Sequence, residues 1–407
     1  MNETTIVIIG GGPAGFFGAI TAAQQNPQHR IILLEKHRQL LSKVRISGGG
    51  RCNVTHACFE PSSLVKFYPR GGKELLGPFT RFQPRDTIKW FETRGVQLKT
   101  EEDGRMFPVT DQSETIIRCL EKAAAEAGVK IWTECGVNQI ERLEQGFRLV
   151  LANGNQLDCQ RLLFATGSHP KTYELLEKLG HRIVPLVPSL FTFNIPTSPL
   201  HELTGVSCPN VKVYLPQINK EQIGPLLITH WGISGPAVLK LSAWAARELH
   251  ALGYHTQVVL DWLPQFGEAE LRQELINAKT SLKLKLVQSE SLLPLPKQLW
   301  KKIVELAEIN SEQRWSHLSA KQIQGVLNQV KTMTLQVSGK TTYKQEFVTC
   351  GGVDLKEVNF KTMESKKCPG LFFAGEVLDI DGVTGGFNFQ NAWTTGWIAG
   401  QSMNLPH

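Results

Sequence analysis

The amino-acid sequence predicts an α/β protein with a Rossmann-type nucleotide-binding domain built from both ends of the chain. The first third of the sequence alternates strand-like and helix-like segments. The same alternation returns near the end, where the apolar strand Gly370–Ala374 precedes a predicted helix at Ala392–Met403. Because 407 residues are too many for one compact core, we expect the stretch between the two ends to be inserted into the nucleotide-binding domain.

The amino-terminal elements begin with a βαβ unit. Thr4–Gly10 is rich in Ile and Val without alternation, which is typical of a strand buried on both faces. Phe16–Gln25 has helical composition, and Ile31–Leu34 predicts a second strand that ends at Glu35. Thr115–Ala127 has apolar residues at helical spacing and stops before a glycine. Further strands are predicted at Lys130–Thr133, Phe147–Leu151 and Leu162–Ala165.

The middle of the chain changes its character at Pro185. Short β-like runs and prolines dominate up to about Leu263. Leu and Ile then recur at helical spacing over Gly267–Val330, and β character returns at Thr332–Val337. We therefore predict three domains. Residues 1–187 and 348–407 form the nucleotide-binding domain, 188–265 and 331–347 a β-rich domain, and 266–330 a helical insertion.

Composition excludes several classes of protein. The eight cysteines are scattered and form no C-x-x-C pair, so the sequence predicts neither a metal site nor a disulfide framework. No apolar run approaches the ~20 residues that a membrane span needs. Glu3 stands where an export signal would carry basic residues. We therefore expect a cytoplasmic protein without a membrane partner.

Nearly all of the net charge of +7 is concentrated in one stretch, residues 275–346, which carries eleven Lys or Arg against five Glu. A solvated helical surface explains this excess, and we favour it because no continuous basic cluster is present. The alternative is the docking of a phosphate-rich partner such as RNA. In that case we expect phosphate contacts from Lys279, Lys283, Lys285, Lys297, Lys301, Lys302 and Arg314.

The strongest motif is a glycine-rich turn between the first strand and the first helix. Gly10, Gly12 and Gly15 match G-x-G-x-x-G, and Glu35 follows at the end of the next strand. The first glycine permits a tight turn, the second lets a pyrophosphate approach the backbone, and the third lets helix and strand pack closely. The helix N-terminus supplies N–H groups to the anion, and Glu35 would accept hydrogen bonds from ribose hydroxyls. The alternative, a turn without a ligand, is disfavoured by this context.

Further segments distinguish FAD from NAD as the cofactor. Ser47–Asn53 is a second glycine-rich loop, and Leu163–Gly167 is a strand that runs into a small-residue turn. Gly370–Glu376 is a late strand whose carboxylate suits a ribityl hydroxyl of FAD. Gly385–Asn388 precedes a helix whose N–H groups would face the negative end of a reduced isoalloxazine. A long ligand that contacts both chain ends fits FAD better than NAD.

These motifs resemble those of the BaiN/RdsA-type family of FAD-dependent, often NAD(P)H-linked, oxidoreductases. The resemblance covers nearly the whole chain. The matching segments are the fingerprint, Lys43 with SGGGRCN at Ser47–Asn53, GRMFPVTDQS at Gly104–Ser113, ATG at Ala165–Gly167, ITHWGISGPAVLKLS at Ile228–Ser242, CGGV at Cys350–Val353 and TMESKKCPGLFFAGEVLDIDGVTGGFNFQNAW at Thr362–Trp393. The resemblance implies an FAD domain from both termini, an inserted β-barrel-like domain and a small helical domain.

The resemblance also implies NAD(P)H-dependent reduction of a conjugated C=C bond, in an enone-like small molecule or in a uracil of ribosomal RNA. Departures from the family pattern at His56, Trp231 and Cys350 leave the substrate open. No second G-x-G-x-x-G is present, so we expect NAD(P)H to be a transient reductant. The predicted FAD contacts are Gly10, Gly12, Pro13, Ala14, Gly15, Glu35, Lys36, Lys43, Gly49, Gly50, Arg51, Cys52, Asn53, Val137, Thr166, Gly167, Gly375, Glu376, Gly386, Phe387 and Asn388.

Two residues are candidates for catalysis. Cys52 follows Arg51, whose positive charge would lower the pKa of the thiol, although a small packed residue near the ring is the favoured alternative. His230 is a candidate proton donor, with a structural histidine as the alternative. Besides the reductase, two other functions are consistent with the sequence: an oxygen-dependent amine or aminoketone oxidase, and a flavin-bearing RNA- or ribosome-binding module.

Overall fold

The structure of the protein, a computed structural model, describes residues 4–289, 291–341 and 348–403. The chain forms two compact units. The first unit comprises Met1–Val187 and Lys344–His407, and the second comprises Pro188–Tyr343. The predicted domain junction at 347/348 and the charges of Glu290, Lys344 and Glu346 in the basic stretch lie outside the described residues. The division of the middle into two domains stays a prediction.

Helices and strands are numbered in chain order. The helices are α1 (Pro13–Gln25), α2 (Ser42–Gly50), α3 (Pro61–Leu64), α4 (Gly72–Arg81), α5 (Pro84–Glu92), α6 (Ser113–Glu126), α7 (Pro170–Lys178), α8 (Pro236–Trp244), α9 (Ala246–Ala251), α10 (Glu268–Ser281), α11 (Lys297–Leu306), α12 (Ala320–Lys331) and α13 (Phe387–Ser402). The strands are β1 (Thr5–Ile9), β2 (Arg30–Leu34), β3 (Thr55–His56), β4 (Leu98–Thr100), β5 (Arg105–Pro108), β6 (Lys130–Trp132), β7 (Val137–Leu143), β8 (Gly146–Leu151), β9 (Gln156–Cys159), β10 (Arg161–Phe164), β11 (Ile183–Ser189), β12 (Thr192–Asn194), β13 (Ser207–Leu215), β14 (Lys220–Thr229), β15 (Gly232–Ser234), β16 (His255–Asp261), β17 (Met333–Ser338), β18 (Lys340–Thr341), β19 (Val348–Val353), β20 (Val358–Asn359), β21 (Glu364–Ser365) and β22 (Leu371–Phe373).

The main sheet of the first unit has the strand order β20–β21–β22–β10–β1–β2–β6. Its central strands β22, β10, β1, β2 and β6 are parallel, whereas β21 and β20 run antiparallel. In β1 and β2 all residues after the first are buried, which explains their unbroken Ile, Val and Leu content. Because parallel strands end at the same edge, the turns after β1, β10 and β22 meet there. The predicted α/β class and Rossmann-type domain are confirmed.

Helices from the two ends of the chain pack backbone to backbone on this sheet. A Cβ added at Gly396 of α13 would lie 2.5 Å from the carbonyl oxygen of Ala14 in α1. A Cβ at Gly400 would lie 2.7 Å from the oxygen of Gly18, one turn further along α1. Only glycine allows helices to approach so closely, so these residues join the carboxyl-terminal helix to the amino-terminal βαβ unit.

Smaller sheets surround the main sheet of the first unit. Their strand orders are β3–β5–β4, β7–β8–β9 and β11–β19. β3 and β5 hold the second glycine loop, because Val54 N donates to the Met106 oxygen at 2.9 Å and Ala57 N to the Gly104 oxygen at 2.8 Å. The GRMFPVTDQS motif therefore supports the loop that precedes β3.

The second unit is built on an antiparallel sheet with the order β17–β16–β13–β14–β15–β12–β18. Helices α10, α11 and α12 share one hydrophobic core with this sheet. Leu260 of β16, Leu275 of α10 and Trp300 of α11 all belong to that core and are almost fully buried. The Leu and Ile periodicity of the middle stretch thus reflects helices packed on the sheet.

Two predicted helical segments differ from the structure. The carboxyl-terminal helix begins at Phe387, five residues before the predicted Ala392, because Gly386 starts it with a φ of +90°. The helical stretch 267–330 consists of α10, α11 and α12, and Pro294 and Pro296 lie in the interruption before α11. In the part of the chain that the structure describes, no helix is both long and apolar enough to span a membrane.

Candidate functional site

The fingerprint turn joins β1 to α1, and its three glycines have different surroundings. A Cβ at Gly10, where φ is +114°, would lie 2.4 Å from the Ala165 carbonyl oxygen. A Cβ at Gly15 would lie 1.9 Å from the Gly10 oxygen, but one at Gly12 would meet no atom of the described residues within 4 Å. Packing therefore requires the first and third glycines, whereas the space beside Gly12 is what a pyrophosphate needs.

The N-terminus of α1 opens toward the same turn. Gly12 is the residue before the helix and has no side chain to accept the first N–H groups, and Pro13 occupies the first helical position. These N–H groups carry the positive end of the helix dipole and are left for an anion.

Glu35 follows β2 and is held in place by two backbone N–H groups. Gly11 N donates to its Oε2 at 2.8 Å, and His37 N donates to its Oε1 at 2.9 Å. The carboxylate lines a cleft at the sheet edge, where ribose hydroxyls would find acceptors. The cleft is also lined by the predicted residues Gly10, Lys36, Val137 and Thr166, and by Asn138, His169 and Lys171.

His169 and Lys171 were missed by the sequence analysis. They stand at the start of α7, which follows the Ala165–Gly167 turn. The sequence signal that could have placed them there is Pro170, because proline is favoured at the first position of a helix. Burial, followed by the charges of Lys36 and Lys171, lowers the pKa of His169. Burial also lowers the pKa of Lys36, against the opposing effect of Glu35. The cleft therefore combines one carboxylate with several nitrogen donors.

The second glycine loop ends α2 in a left-handed turn. Gly48, Gly49 and Gly50 have φ values of +59°, +68° and +85°. A Cβ at Gly48 would lie 2.9 Å from the Phe107 ring, but Cβ atoms at Gly49 and Gly50 would meet no described atom within 4 Å. This loop thus presents bare backbone beside open space, as a site that cradles a ligand does.

Glu376 brings the late strand β22 into contact with the fingerprint region. Its carboxylate forms an ion pair with Lys43, and the Tyr173 hydroxyl donates to its backbone oxygen at 3.3 Å. A Cβ at Gly167 would lie 3.8 Å from Glu376 Oε2, and one at Gly375 would lie 3.0 Å from Ala14 Cβ. The structure therefore brings together five of the predicted residues, Ala14, Lys43, Gly167, Gly375 and Glu376, from four distant segments.

The N-terminus of α13 is tied to the second glycine loop. With its amide oriented as the neighbouring groups require, Asn53 accepts a hydrogen bond from Gly386 N at 3.0 Å and donates one to the Thr55 oxygen at 3.0 Å. Asn53 thus positions the start of α13, and its predicted direct contact with the cofactor stays a prediction.

Phe387 and Asn388 also hold the turn before α13. Asn388 accepts from Gly382 N at 2.8 Å and donates to the Gly382 oxygen at 2.9 Å. Phe387 is buried and stacks on Phe67, with 4.3 Å between ring centroids, and on His56, with 4.7 Å. These contacts fix the direction of the helix N-terminus.

Arg51 is bound to carboxylates of its own chain. Its Nη1 lies 2.7 Å from Glu101 Oε1 and 3.7 Å from Asp111 Oδ1, and its guanidinium lies 4.0 Å from the centroid of the Phe107 ring. The role of Arg51 as a cofactor ligand stays a prediction.

Cys52 requires a correction. The residue is fully buried, and burial raises the pKa of its thiol to about 12, with a smaller opposing effect of Ser47. The expected lowering of this pKa by Arg51 is wrong, because the guanidinium is directed to Glu101 and desolvation dominates at the sulfur. The thiol is protonated at neutral pH, as the packing alternative requires.

His230 lies in the second unit, in the turn between β14 and β15. The imidazole is exposed and 4.5 Å from the indole of Trp231, measured between ring centroids. Trp231 is itself 52% exposed. The role of His230 as a proton donor stays a prediction.

The residues of the first unit fit FAD. Glu35 and the cleft would hold the adenosine ribose, and Gly12 with the N-terminus of α1 would hold the pyrophosphate. Glu376 would accept from the ribityl chain. The open backbone at Gly49 and the N-terminus of α13 at Gly386 would hold the ring system.

The comparisons with known proteins agree with this geometry. The model of the HI0933-like protein Rossmann domain matches residues 4–402. The chain is 30% identical to a ribosomal RNA dihydrouridine synthase of Escherichia coli, over 99% of this chain and 98% of the relative. It is 28% identical to a 3-dehydro-bile acid Δ4,6-reductase of Clostridium scindens, over 98% of both chains.

Solved structures show the same fold at low sequence identity. A flavocytochrome c3 fumarate reductase in its open conformation superposes with a TM-score of 0.52 and 16% identity, over 99% of this chain and 78% of the other. A 3-ketosteroid-Δ4-(5α)-dehydrogenase of Rhodococcus jostii has a TM-score of 0.52 and 13% identity, over 98% and 96%. The chain belongs to the HI0933-like family of FAD-dependent oxidoreductases, as its motifs predicted.

Proposed function

We propose that the protein reduces a conjugated C=C bond with electrons from NAD(P)H, using FAD as its resident cofactor. The observation that carries this proposal is the set of groups gathered around the fingerprint turn and the second glycine loop. Glu35 accepts from Gly11 N beside the open Gly12, Glu376 follows Gly375, whose Cβ position lies 3.0 Å from Ala14, and Gly386 donates to Asn53. These groups suit the ribose, pyrophosphate, ribityl chain and ring of FAD. FAD supplies hydride transfer when it is bound.

The chain's own residues orient the cofactor and stabilise charge. The positive end of the α13 dipole at Gly386 favours the negative charge of a reduced flavin ring. Asn53 and Asn388 keep that helix end in place. Lys43 pairs with Glu376 and so keeps its carboxylate oriented.

NAD(P)H is proposed as a visiting reductant. The sequence has a single dinucleotide fingerprint, and the first unit uses it for the resident cofactor. A nicotinamide would therefore approach the ring only for the transfer and then leave. We also propose a cytoplasmic location, supported by eight cysteines that form no disulfide in the described residues.

The relatives support a conjugated C=C bond as the reacting group. One is named for making dihydrouridine in ribosomal RNA and another for reducing a bile acid. Such a reduction adds a hydride to one carbon and a proton to the other. We propose His230 as the proton donor, because its imidazole is exposed, whereas a thiol with a pKa of about 12, as in Cys52, is a poor acid.

Anaerobic spectroscopy tests this proposal. Addition of NADPH or NADH to the purified yellow protein is expected to bleach the flavin absorbance, and a steroid enone or an unmodified ribosomal RNA transcript is then expected to restore it. A flavin that stays oxidised with both nucleotides would overturn the proposal. Steady peroxide release with an amine and no nucleotide would instead identify an oxidase.

A further inference from the structure

Two lysines of the second unit are largely buried in ion pairs. Lys302 is only 8% exposed, and its Nζ lies 2.9 Å from Glu305 and 3.4 Å from Glu202. Lys331 pairs with Asp261 at 2.7 Å. The predicted phosphate contact of Lys302 is therefore wrong, and neither lysine is among the predicted cofactor residues.

The first unit holds a different buried ion pair, which joins Arg70 to Asp381. Arg70 Nε donates to Oδ1 of Asp381 and Arg70 Nη2 donates to Oδ2, so the contact is bidentate. The Asp381 side chain is fully buried, and that of Arg70 is 11% exposed. Because a buried ion pair seldom adds net stability, its presence is better explained by a role in the neighbouring site.

The neighbouring site is the N-terminus of α13. Asp381 directly precedes Gly382, and Gly382 exchanges two hydrogen bonds with the side chain of Asn388 in the first turn of that helix. The carboxylate of Asp381 therefore belongs to the segment that leads into the helix end proposed to face the flavin ring.

The segment that carries Arg70 is fixed along the same approach to α13. Val383 N donates to the Phe67 oxygen at 2.9 Å, and the Tyr68 hydroxyl donates to the Phe387 oxygen at 2.6 Å. Arg70 itself forms a bridge of antiparallel type with the backbone of Asp381. The guanidinium is thus held in register with the start of the helix.

The ion pair places a cation on a carboxylate that stands beside a positive helix end. The N–H groups at the start of α13 carry the positive end of the helix dipole, which favours the negative charge of a reduced flavin ring. A negative carboxylate near these groups would offset their effect and repel the reduced ring. The Arg70 guanidinium balances the carboxylate of Asp381, so the helix end keeps its effect on the ring.

We propose that Arg70 is a positioning residue for the cofactor, which acts through Asp381 to keep the N-terminus of α13 positive and so sets the reduction potential of the bound flavin. This inference rests on the proposed function, because it takes the ring to lie at Gly386. It predicts opposite effects at the two partners. Loss of the guanidinium disfavours the reduced flavin, whereas loss of the carboxylate charge favours it.

The midpoint potential of the bound flavin tests the proposal. It is measured against reference dyes during photochemical reduction, without NAD(P)H or substrate. Arg70→Gln is expected to lower the ratio of reduced-flavin to oxidised-flavin affinity by roughly three- to tenfold, and Asp381→Asn to raise it by a similar factor. A tenfold change is a shift of about 30 mV for this two-electron couple. The double variant is expected to stay within about twofold of the parent ratio.

The matched control is the ion pair between Arg148 and Asp158. It is also bidentate, with both distances 2.8 Å, but its side chains are 37% and 48% exposed. Exposed charges are screened by water and salt, so Arg148→Gln and Asp158→Asn are expected to leave the potential at the parent value.

The sign of the shift separates this role from a purely structural one. Lower potentials in both single variants would overturn the proposal, because lost packing acts in the same direction at both partners. An unchanged or lower potential in Asp381→Asn would overturn it even if Arg70→Gln fails to retain FAD.

Bleaching of the parent flavin by NAD(P)H is measured separately. Bleaching without any shift in the variants would overturn the role of Arg70 while leaving the reductase intact. Opposite shifts in a protein that neither nucleotide bleaches would support the role of Arg70 and overturn the reductase.

Discussion

The two glycine-rich turns of the first unit use glycine for different reasons. In the fingerprint turn, Gly10 and Gly15 are required because backbone atoms stand where a Cβ would be, and Gly12 alone borders open space. In the second loop, Gly49 and Gly50 border open space and also have left-handed backbone conformations. In the first turn, packing requires two of the glycines, and a different glycine borders the space for a ligand. In the second loop, the same glycines both adopt the left-handed conformation and border the space for a ligand.

Gly15→Val is expected to have the largest effect. Its side chain would overlap the Gly10 oxygen, which lies 1.9 Å from the Cβ position and, as a backbone atom, cannot rotate away. We expect a loss of more than about 3 kcal/mol in the free energy of unfolding. Chemical denaturation of the FAD-free protein measures this loss. A parent-like stability would contradict the assignment of Gly15 to packing.

Gly12→Val is expected to abolish FAD retention while the FAD-free protein stays folded. The extended backbone with φ −92° accepts a branched residue, so its stability should change by less than about 1 kcal/mol. The protein should purify colourless. Gly77→Val is the matched control, because a Cβ there also meets no described atom within 4 Å, and Gly77 is an exposed residue of α4 that is not among the predicted cofactor residues. A Gly12→Val protein that still purified yellow would contradict the assignment of the space beside Gly12 to the cofactor.

Substitutions of Gly49 sharpen the comparison. Gly49→Ala is expected to cost about 1–2 kcal/mol because alanine disfavours the left-handed region. Gly49→Asn tolerates that conformation better but has a larger side chain. If the space at Gly49 holds the cofactor, asparagine should give the more stable FAD-free protein and the weaker FAD affinity. Titration of FAD and thermal unfolding distinguish the two effects.

The smallest expected effect concerns the pH dependence of the second loop. The pKa of Cys52 rises from its ordinary value of 9.0 to about 12 in the folded protein. Below pH 9 the thiol is protonated in both states. Above pH 9 the unfolded chain releases this proton and the folded chain does not, so stability is lost as the pH rises toward 12.

Cys52→Ala should therefore destabilise the protein slightly at pH 7, and the difference from the parent should shrink above pH 9. Unfolding free energies at pH 7 and pH 10 measure both quantities. A difference that grows with pH would show that the thiolate, not the thiol, is stabilised in the folded protein.

Local patterns predicted the parts of the fold that depend on neighbours in sequence. The buried strand before Gly10, the helix after it and the acid at Glu35 all follow from composition within short windows. The start of α13 was predicted five residues too late. Gly386 contacts Asn53 and Phe387 stacks on Phe67, and these contacts, which fix the first turn of the helix, come from residues that are distant in the sequence.

Electrostatic environment was the least predictable property of the candidate site. Lys301 and Lys302 are adjacent lysines that the sequence does not distinguish. Lys302 is paired because Glu202, 100 residues earlier in the chain, lies 3.4 Å from its Nζ. Cys52 adjoins Arg51 in the chain, yet the guanidinium binds Glu101 and the thiol is fully buried beside Ser47. Such differences arise from contacts between segments that are distant in the sequence. The spacing of residues along the chain carries no information about these contacts.

The close packing of α1 on α13 has a consequence for synthesis. The fingerprint turn leaves the ribosome first, but the helix that completes its surroundings begins at Phe387. At translation rates of about 5–20 residues per second, the turn waits roughly 20–75 seconds for that partner. During this time the face of α1 that packs on α13 lacks its partner helix. We expect capture of the cofactor to follow translation, and a chain that terminates before Phe387 should never hold FAD.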